Sequence, residues 1–272
     1  MSNAVVFDWD GTLVSCEEKI NLTIERLIQI YPEIAKKYTS AISEGKQSPG
    51  WIRKGFIVSL PEDYFTYHFG ILAELIAEVL GLSIDSAWLV LLRTFKASYL
   101  DRRAKMLGNP EKLRGLSQYA SLFVVSNSST DNIVAEAESL GVERSVFSFL
   151  GGAKKYGVEE KEPSLLGISA VRPKYQSILD IVRARHQNLV VVGDNFCLDL
   201  VTPLMMGVRA AYVSNPLSSP KIREFVKSDK ILAGDINVII DSLLKEMQGA
   251  QSSSYCLCKQ SQLCLGHHPS QT

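Results

Sequence analysis

Ala4-Val5-Val6-Phe7-Asp8-Trp9-Asp10-Gly11-Thr12-Leu13 is the stretch whose reading decides the fold. Its β-branched and aromatic run is that of a buried strand, and the run ends in two carboxylates two residues apart. Residues at i and i+2 face the same side of an extended chain, so Asp8 and Asp10 are expected to address one small volume beyond the strand. Gly11 then lets the chain turn away, because glycine alone takes a positive φ at little cost. Two like charges held close together repel, so one of the pair is expected to share a proton or a cation. The plainer reading of the same residues is a strand end with two solvated aspartates.

Strands of the same kind recur late in the chain. Ser121–Val125 is a short apolar run ending in Ser126-Asn127-Ser128-Ser129, and Leu189–Val192 is another, ending in Gly193-Asp194-Asn195. Val146–Leu150 and Val208–Val213 read as two more. Helical patterns lie between them. Thr130 or Asp131 caps one that reaches about Leu140, with Gly141 at its end, and Pro173 leads into another over Lys174–Arg185. Ile236–Met247 is a closing amphipathic helix. Buried strands alternating with helices predict an α/β fold, a Rossmann-like doubly wound parallel sheet covered on both faces. Ligands of such sheets collect outside the carboxyl ends of the strands. Asp8 and Asp10, Ser126 and Asn127, and Asp194 with Asp199 are thereby expected on one edge.

The region after Leu13 breaks this alternation. Ile20, Ile24, Leu27, Ile28 and Tyr31 make one helical face, ending at Pro32. Ile71, Leu72, Leu75, Ile76, Val79 and Leu80 make a second, closed by Gly81. Ile84, Ala87, Trp88, Leu91, Leu92, Phe95 and Tyr99 make a third. Amphipathic helices of this kind pack on one another. The Gly45–Gly55 stretch reads as a loop, and nothing over Ser15–Asn109 reads as strand. The expected organisation is a core from 1–14 and 116–249, an all-helical cap over 15–115, and a mobile tail over 250–272, where Ser, Gln, Cys and His follow no period.

Composition narrows the partners. The 272 residues carry 29 Lys+Arg against 29 Asp+Glu, so no nucleic acid and no membrane surface is implied. The apolar region from Phe69 to Phe95 is interrupted by Glu74, Glu78, Gly81 and Asp85, as in core helices rather than a span. The chain enters a strand within four residues, without the basic and apolar segments of a signal peptide. Its 5 cysteines, an odd number, fit free thiols in the cytoplasm. Cys256, Cys258 and Cys264 with His267 and His268 are ligand types suited to zinc but lack its paired spacing, and Cys197 reads as a small filler.

Asp8-Trp9-Asp10-Gly11-Thr12-Leu13 resembles the DxDGT signature of the haloacid dehalogenase-like (HAD) hydrolases. Val124-Val125-Ser126-Asn127-Ser128 is similar to that family's second motif, and Val191-Val192-Gly193-Asp194 with Asp199 to its fourth. Their order and their places at strand ends strengthen the resemblance. It implies a phosphatase in which Asp8 attacks phosphorus and forms an aspartyl-phosphate. Asp10 would protonate the leaving oxygen and then deprotonate water. Mg²⁺ would be held by Asp8, the main-chain carbonyl of Asp10 and Asp194, with Asp199 in or beside the first shell, and Ser126 would donate to the phosphoryl group. The substrate implied is a small phosphorylated metabolite. A phosphotransferase or phosphomutase on the same core is the alternative within enzymes, and a non-catalytic binding protein of this fold is the alternative outside them. A hydrolytic dehalogenase fits Asp10 and Ser126 less well, and phosphonate cleavage would need a cap lysine forming a Schiff base.

The resemblance also implies a cation beside the nucleophile, and here the sequence departs from the family's Lys-Pro pair. Arg172-Pro173 matches by position, Lys174 by residue type, and Lys154 and Lys155 lie upstream. Arginine and lysine are not interchangeable in a tight site, so the assignment stays open among them. In the cap, Arg53 and Lys54 are candidates for substrate contact, with a solvated surface as the alternative, while His68 reads mainly as a packed cap residue.

Overall fold

Strand β1 (Asn3–Phe7) is buried along its whole length, as its Val-Val-Phe run requires. The computed structural model describes residues 2–15, 17–46, 64–99, 105–126, 128, 130–151, 175–214, 220–229 and 231–263. β1 lies at the middle of a sheet completed by β2 (Ser121–Val125), β3 (Phe149–Gly151), β4 (Asn188–Gly193), β5 (Arg209–Val213) and β6 (Leu232–Gly234). The order is β3-β2-β1-β4-β5-β6 and every pairing is parallel. From β1 the chain winds outward through β2 and β3, then returns to the other side of β1 for β4, β5 and β6. The winding therefore reverses between β1 and β4, where an open parallel sheet leaves a crevice at its carboxyl edge.

Among the described residues, four helices form the insert: α1 (Glu17–Ile30), α2 (Pro32–Ser43), α3 (Tyr64–Leu80) and α4 (Ile84–Tyr99). The Ser15 hydroxyl accepts from the Glu17 amide at the start of α1, and Gly81, at φ 62°, ends α3. Ile20, Leu27, Ile34, Phe69, Leu72, Ile76, Trp88 and Leu91 form a core for this insert, separate from those of the sheet. After it come α5 (Pro110–Ser117), α6 (Thr130–Ser139), α7 (Tyr175–Arg185), α8 (Val201–Met205), α9 (Pro220–Ser228) and α10 (Ile236–Leu263). Val5, Phe7, Leu122, Val124, Val190 and Val192 pack against α5, α6 and α10 on one face of the sheet. Ala4, Val6, Leu189, Val191 and Tyr212 meet α7 and α9 on the other. Such two-sided burial accounts for the continuous apolar runs in the strands.

Several boundaries differ from the sequence expectation. The insert rejoins the core near Lys105 rather than at 116: the Ser15 amide donates to the Lys105 carbonyl at 2.8 Å, and Val14 bridges Met106. Leu113 and Leu116 of α5 already belong to the sheet's core. Asn109 caps α5 through its side chain, with Pro110 in the first turn. The strand expected over Val146–Leu150 is instead a 3-10 turn over Arg144–Val146 followed by β3. The closing helix continues to Leu263, into the segment expected to be a mobile tail, because no proline interrupts it beyond Met247. Among the described residues no single helix is long and apolar enough to cross a membrane.

His68 lies inside the insert, its Nδ1 2.5 Å from the Tyr38 hydroxyl and its ring edge-on to Tyr67. Burial lowers its pKa from 6.5 to about 4. The unfolded chain therefore takes up this proton first as pH falls. Stability is fully present above pH 6.5 and declines towards about 4. Urea titrations across this window are expected to show the decline in wild type and a flatter profile in His68→Gln.

Candidate active site

The crevice between β1 and β4 is built by two short departures from the sheet. The Asp8 amide donates to the Val192 carbonyl at 3.0 Å, so the first carboxylate follows directly from strand pairing. At Trp9 the chain leaves the strand, and the Leu13 and Val14 amides both donate back to the Trp9 carbonyl, at 2.9 and 3.0 Å. This tight loop places Gly11 at φ 84° against Asp194. A Cβ on Gly11 would overlap the Asp194 carboxylate, so glycine serves close approach there as well as the turn. A Cβ on Gly193 would likewise overlap Asp199.

These approaches bring three carboxylates together. One oxygen from each of Asp8, Asp194 and Asp199 lies within 4.8 Å of the others, and the residues are 7%, 5% and 1% exposed. Thr12 donates to Asp194 Oδ1 at 3.0 Å, and the Asn195 amide donates to Asp199 Oδ2 at 3.0 Å. A π-helical turn over Phe196–Leu200 follows, with Asn195 capping it through the Leu198 amide. It turns Asp199 back under β4, and the Tyr175 hydroxyl of α7 donates to the Asp199 carbonyl at 3.1 Å. An all-oxygen, multiply anionic, buried donor set fits a hard divalent cation such as Mg²⁺.

Asp10 is placed differently from the initial reading. Its side chain does not join the three carboxylates, because the chain has already left the extended conformation at Trp9. Lys19 Nζ lies 2.5 Å from Asp10 Oδ1, and the Ser128 hydroxyl donates to Asp10 Oδ2. A buried cation from the first helix of the insert thus pairs with Asp10. Lys19 is 2% exposed and also contacts Glu136 of α6, at 2.8 Å to Oε1 and 3.1 Å to Oε2. Trp9 Nε1 donates to Glu136 Oε2 at 2.8 Å. Burial pushes the Glu136 carboxyl up, while the Lys19 ammonium draws it back down.

Ser126 is buried at the end of β2, its amide donating to the Gly151 carbonyl at 3.1 Å and its hydroxyl accepting from the Ser128 amide at 3.3 Å. Asn127, Arg53, Lys54, Lys154, Lys155, Arg172 and Lys174 lie outside the described residues. Lys19, Glu136 and Ser128 are the residues that sequence reasoning missed. A signal existed for two of them. Lys19 and Thr23 share a buried helical face with Leu27, and Glu136 shares one with Ile133 and Ala137. A charged side chain on a buried face calls for a partner.

No family model matches the chain, and no curated protein matches it by sequence. Solved structures do match. A candidate phosphatase from Clostridium difficile aligns with a TM-score of 0.54 at 17% identity, over 89% of this chain and 98% of that one. A candidate β-phosphoglucomutase from Thermotoga maritima gives 0.53 at 15% identity, over 89% of this chain and 99% of that one. What is shared at such identities is the fold. The chain has the haloacid dehalogenase-like fold, a Rossmann-like parallel sheet with a helical insert leaving just after its first strand.

Glu136→Ala removes the acceptor of the Trp9 indole and one of two anions around a buried ammonium. Removing one partner of a buried pair is strongly destabilising, so a loss of about 3 kcal/mol is expected from urea denaturation. Glu136→Gln, which retains an acceptor for Trp9, is expected to lose less.

Proposed function

We propose that the protein is a Mg²⁺-dependent phosphatase that hydrolyses a small phosphorylated metabolite in the cytoplasm. The observation that carries this reading is the buried set of Asp8, Asp194 and Asp199 at the carboxyl edge of the sheet, with Asp10 held apart from it. Three carboxylates so close have no evident structural purpose, and a cation would relieve their repulsion. Asp8, Asp194 and the main-chain carbonyl of Asp10 would hold Mg²⁺, with Asp199 in or beside the first shell. When bound, the ion supplies charge that lets so acidic a site accept a phosphate dianion.

The chain's own residues then divide the work. An Asp8 carboxylate oxygen attacks phosphorus, the bond from phosphorus to the ester oxygen breaks, and that oxygen leaves with a proton from Asp10. An aspartyl-phosphate remains on Asp8. Asp10, now ionised, takes a proton from water, whose oxygen attacks phosphorus and releases inorganic phosphate, restoring Asp8. Ser126 would donate to the phosphoryl oxygens, and the Asn127 amide is a candidate for a further hydrogen bond to them. Arg172 or Lys174, or Lys154 or Lys155 further upstream, would neutralise the phosphoryl charge. The helical insert would select the leaving group and exclude bulk water, with Arg53 and Lys54 as candidate contacts.

The test is hydrolysis of para-nitrophenyl phosphate with Mg²⁺ and with chelator. Wild type is expected to turn over only with the metal, and Asp8→Asn to lose at least about a thousandfold in kcat/KM. Wild type no faster than Asp8→Asn would overturn the reading. Sugar phosphates, phosphoglycolate and nucleotides then form the substrate panel. Phosphoryl transfer to an added sugar phosphate in preference to water would identify a phosphotransferase or mutase instead.

A further inference from the structure

Among the described residues, the buried charges that the proposed chemistry leaves unused are Lys19 and Glu136. Lys19 comes from α1 of the insert, while Asp10 belongs to the loop after β1 and Glu136 to α6, which covers the sheet. Replacing such a buried ion pair with apolar residues is often neutral or stabilising, so stability alone does not account for its presence. The contacts are specific. One Asp10 oxygen faces the ammonium and the other accepts from Ser128, and Glu136 is fixed by the indole of Trp9, the residue preceding Asp10. With a donor on each oxygen, the carboxylate has little freedom to rotate.

We propose that Lys19, anchored by Glu136, is a positioning residue that orients the Asp10 carboxylate for hydrolysis of the phosphoenzyme. The inference rests on the phosphatase reading and adds to it a residue from the insert. In the step concerned, Asp10 accepts the proton of the attacking water, the phosphorus–Asp8 oxygen bond breaks and phosphate leaves. Formation of the phosphoenzyme from a substrate whose leaving group departs without a proton does not call on Asp10. The two half-reactions are therefore expected to respond differently when Lys19 is removed.

The variant of choice is Lys19→Met with Glu136→Gln, which removes the cation together with its anchoring anion and avoids stranding either charge. With para-nitrophenyl phosphate, kcat/KM reports steps up to nitrophenolate release, whereas kcat includes hydrolysis of the phosphoenzyme. The double variant is expected to release a stoichiometric burst of nitrophenolate. Its kcat should fall about a hundredfold while kcat/KM stays within about threefold of wild type. A merely structural role would lower both together without a burst. That result, or no change in either parameter, would overturn the proposal. A crystal structure of the double variant gives a readout independent of turnover, with Asp10 expected to rotate away from Ser128. Where wild type turns over, the kinetics decide. If wild type is no faster than Asp8→Asn, the phosphatase reading fails by itself. The position of Asp10 in the variant then decides, and an unmoved carboxylate overturns the inference.

Discussion

Repulsion among Asp8, Asp194 and Asp199 is the constraint around which the molecule is arranged. With oxygens within 4.8 Å of one another, two full negative charges repel by about 3.5 kcal/mol or more at an effective dielectric near 20. The fold nevertheless drives the three together. Asp8 is carried in by the pairing of β1 with β4, Asp194 by the end of β4, and Asp199 by the π-helical turn that follows. Even the glycines serve this crowding, because side chains on Gly11 or Gly193 would occupy the volume of the carboxylates. A backbone shaped to confine negative charge in this way fits a hard divalent cation.

Around that centre lies a second, nearly balanced set of charges. Asp10 and Glu136 flank Lys19, and Trp9 and Ser128 satisfy the outer oxygens. The loop from Trp9 to Val14 contributes to both sets, Thr12 donating to Asp194 in one and Asp10 meeting Lys19 in the other. Two aspartates separated by one residue thereby acquire different electrostatic surroundings. An acidic site needs this if one group is to act as a nucleophile and the other to carry protons.

Much of this was legible in the sequence, for definite reasons. Apolar runs ending in Asp8, Ser126 and Asp194 gave away the strands and the sheet edge at which they end, since a parallel sheet buries its strands and exposes their carboxyl termini. Short elements were harder to see. β6 and α5 are brief and are defined by neighbours far away in the sequence rather than by period. The partnership of Lys19 with Glu136 crosses from the insert to the core, over 117 residues. No local pattern encodes such a meeting. The i, i+2 argument for Asp8 and Asp10 presumed an extended chain, but hydrogen bonds back to the Trp9 carbonyl end the strand one residue too early for it.

The junction of insert and core bears on folding kinetics. The insert leaves after Val14 and returns at Met106, and these two residues bridge each other. Bringing the ends of a flexible segment of roughly ninety residues together costs about 4 kcal/mol of chain entropy beyond a constant. β1 must meet that cost before it can pair with β2. Helices with their own apolar core, formed from contacts close in sequence, shorten the segment as they assemble. The order of events in folding is thereby biased: the inserted helices form early, and the central strand of the sheet finds its neighbour late.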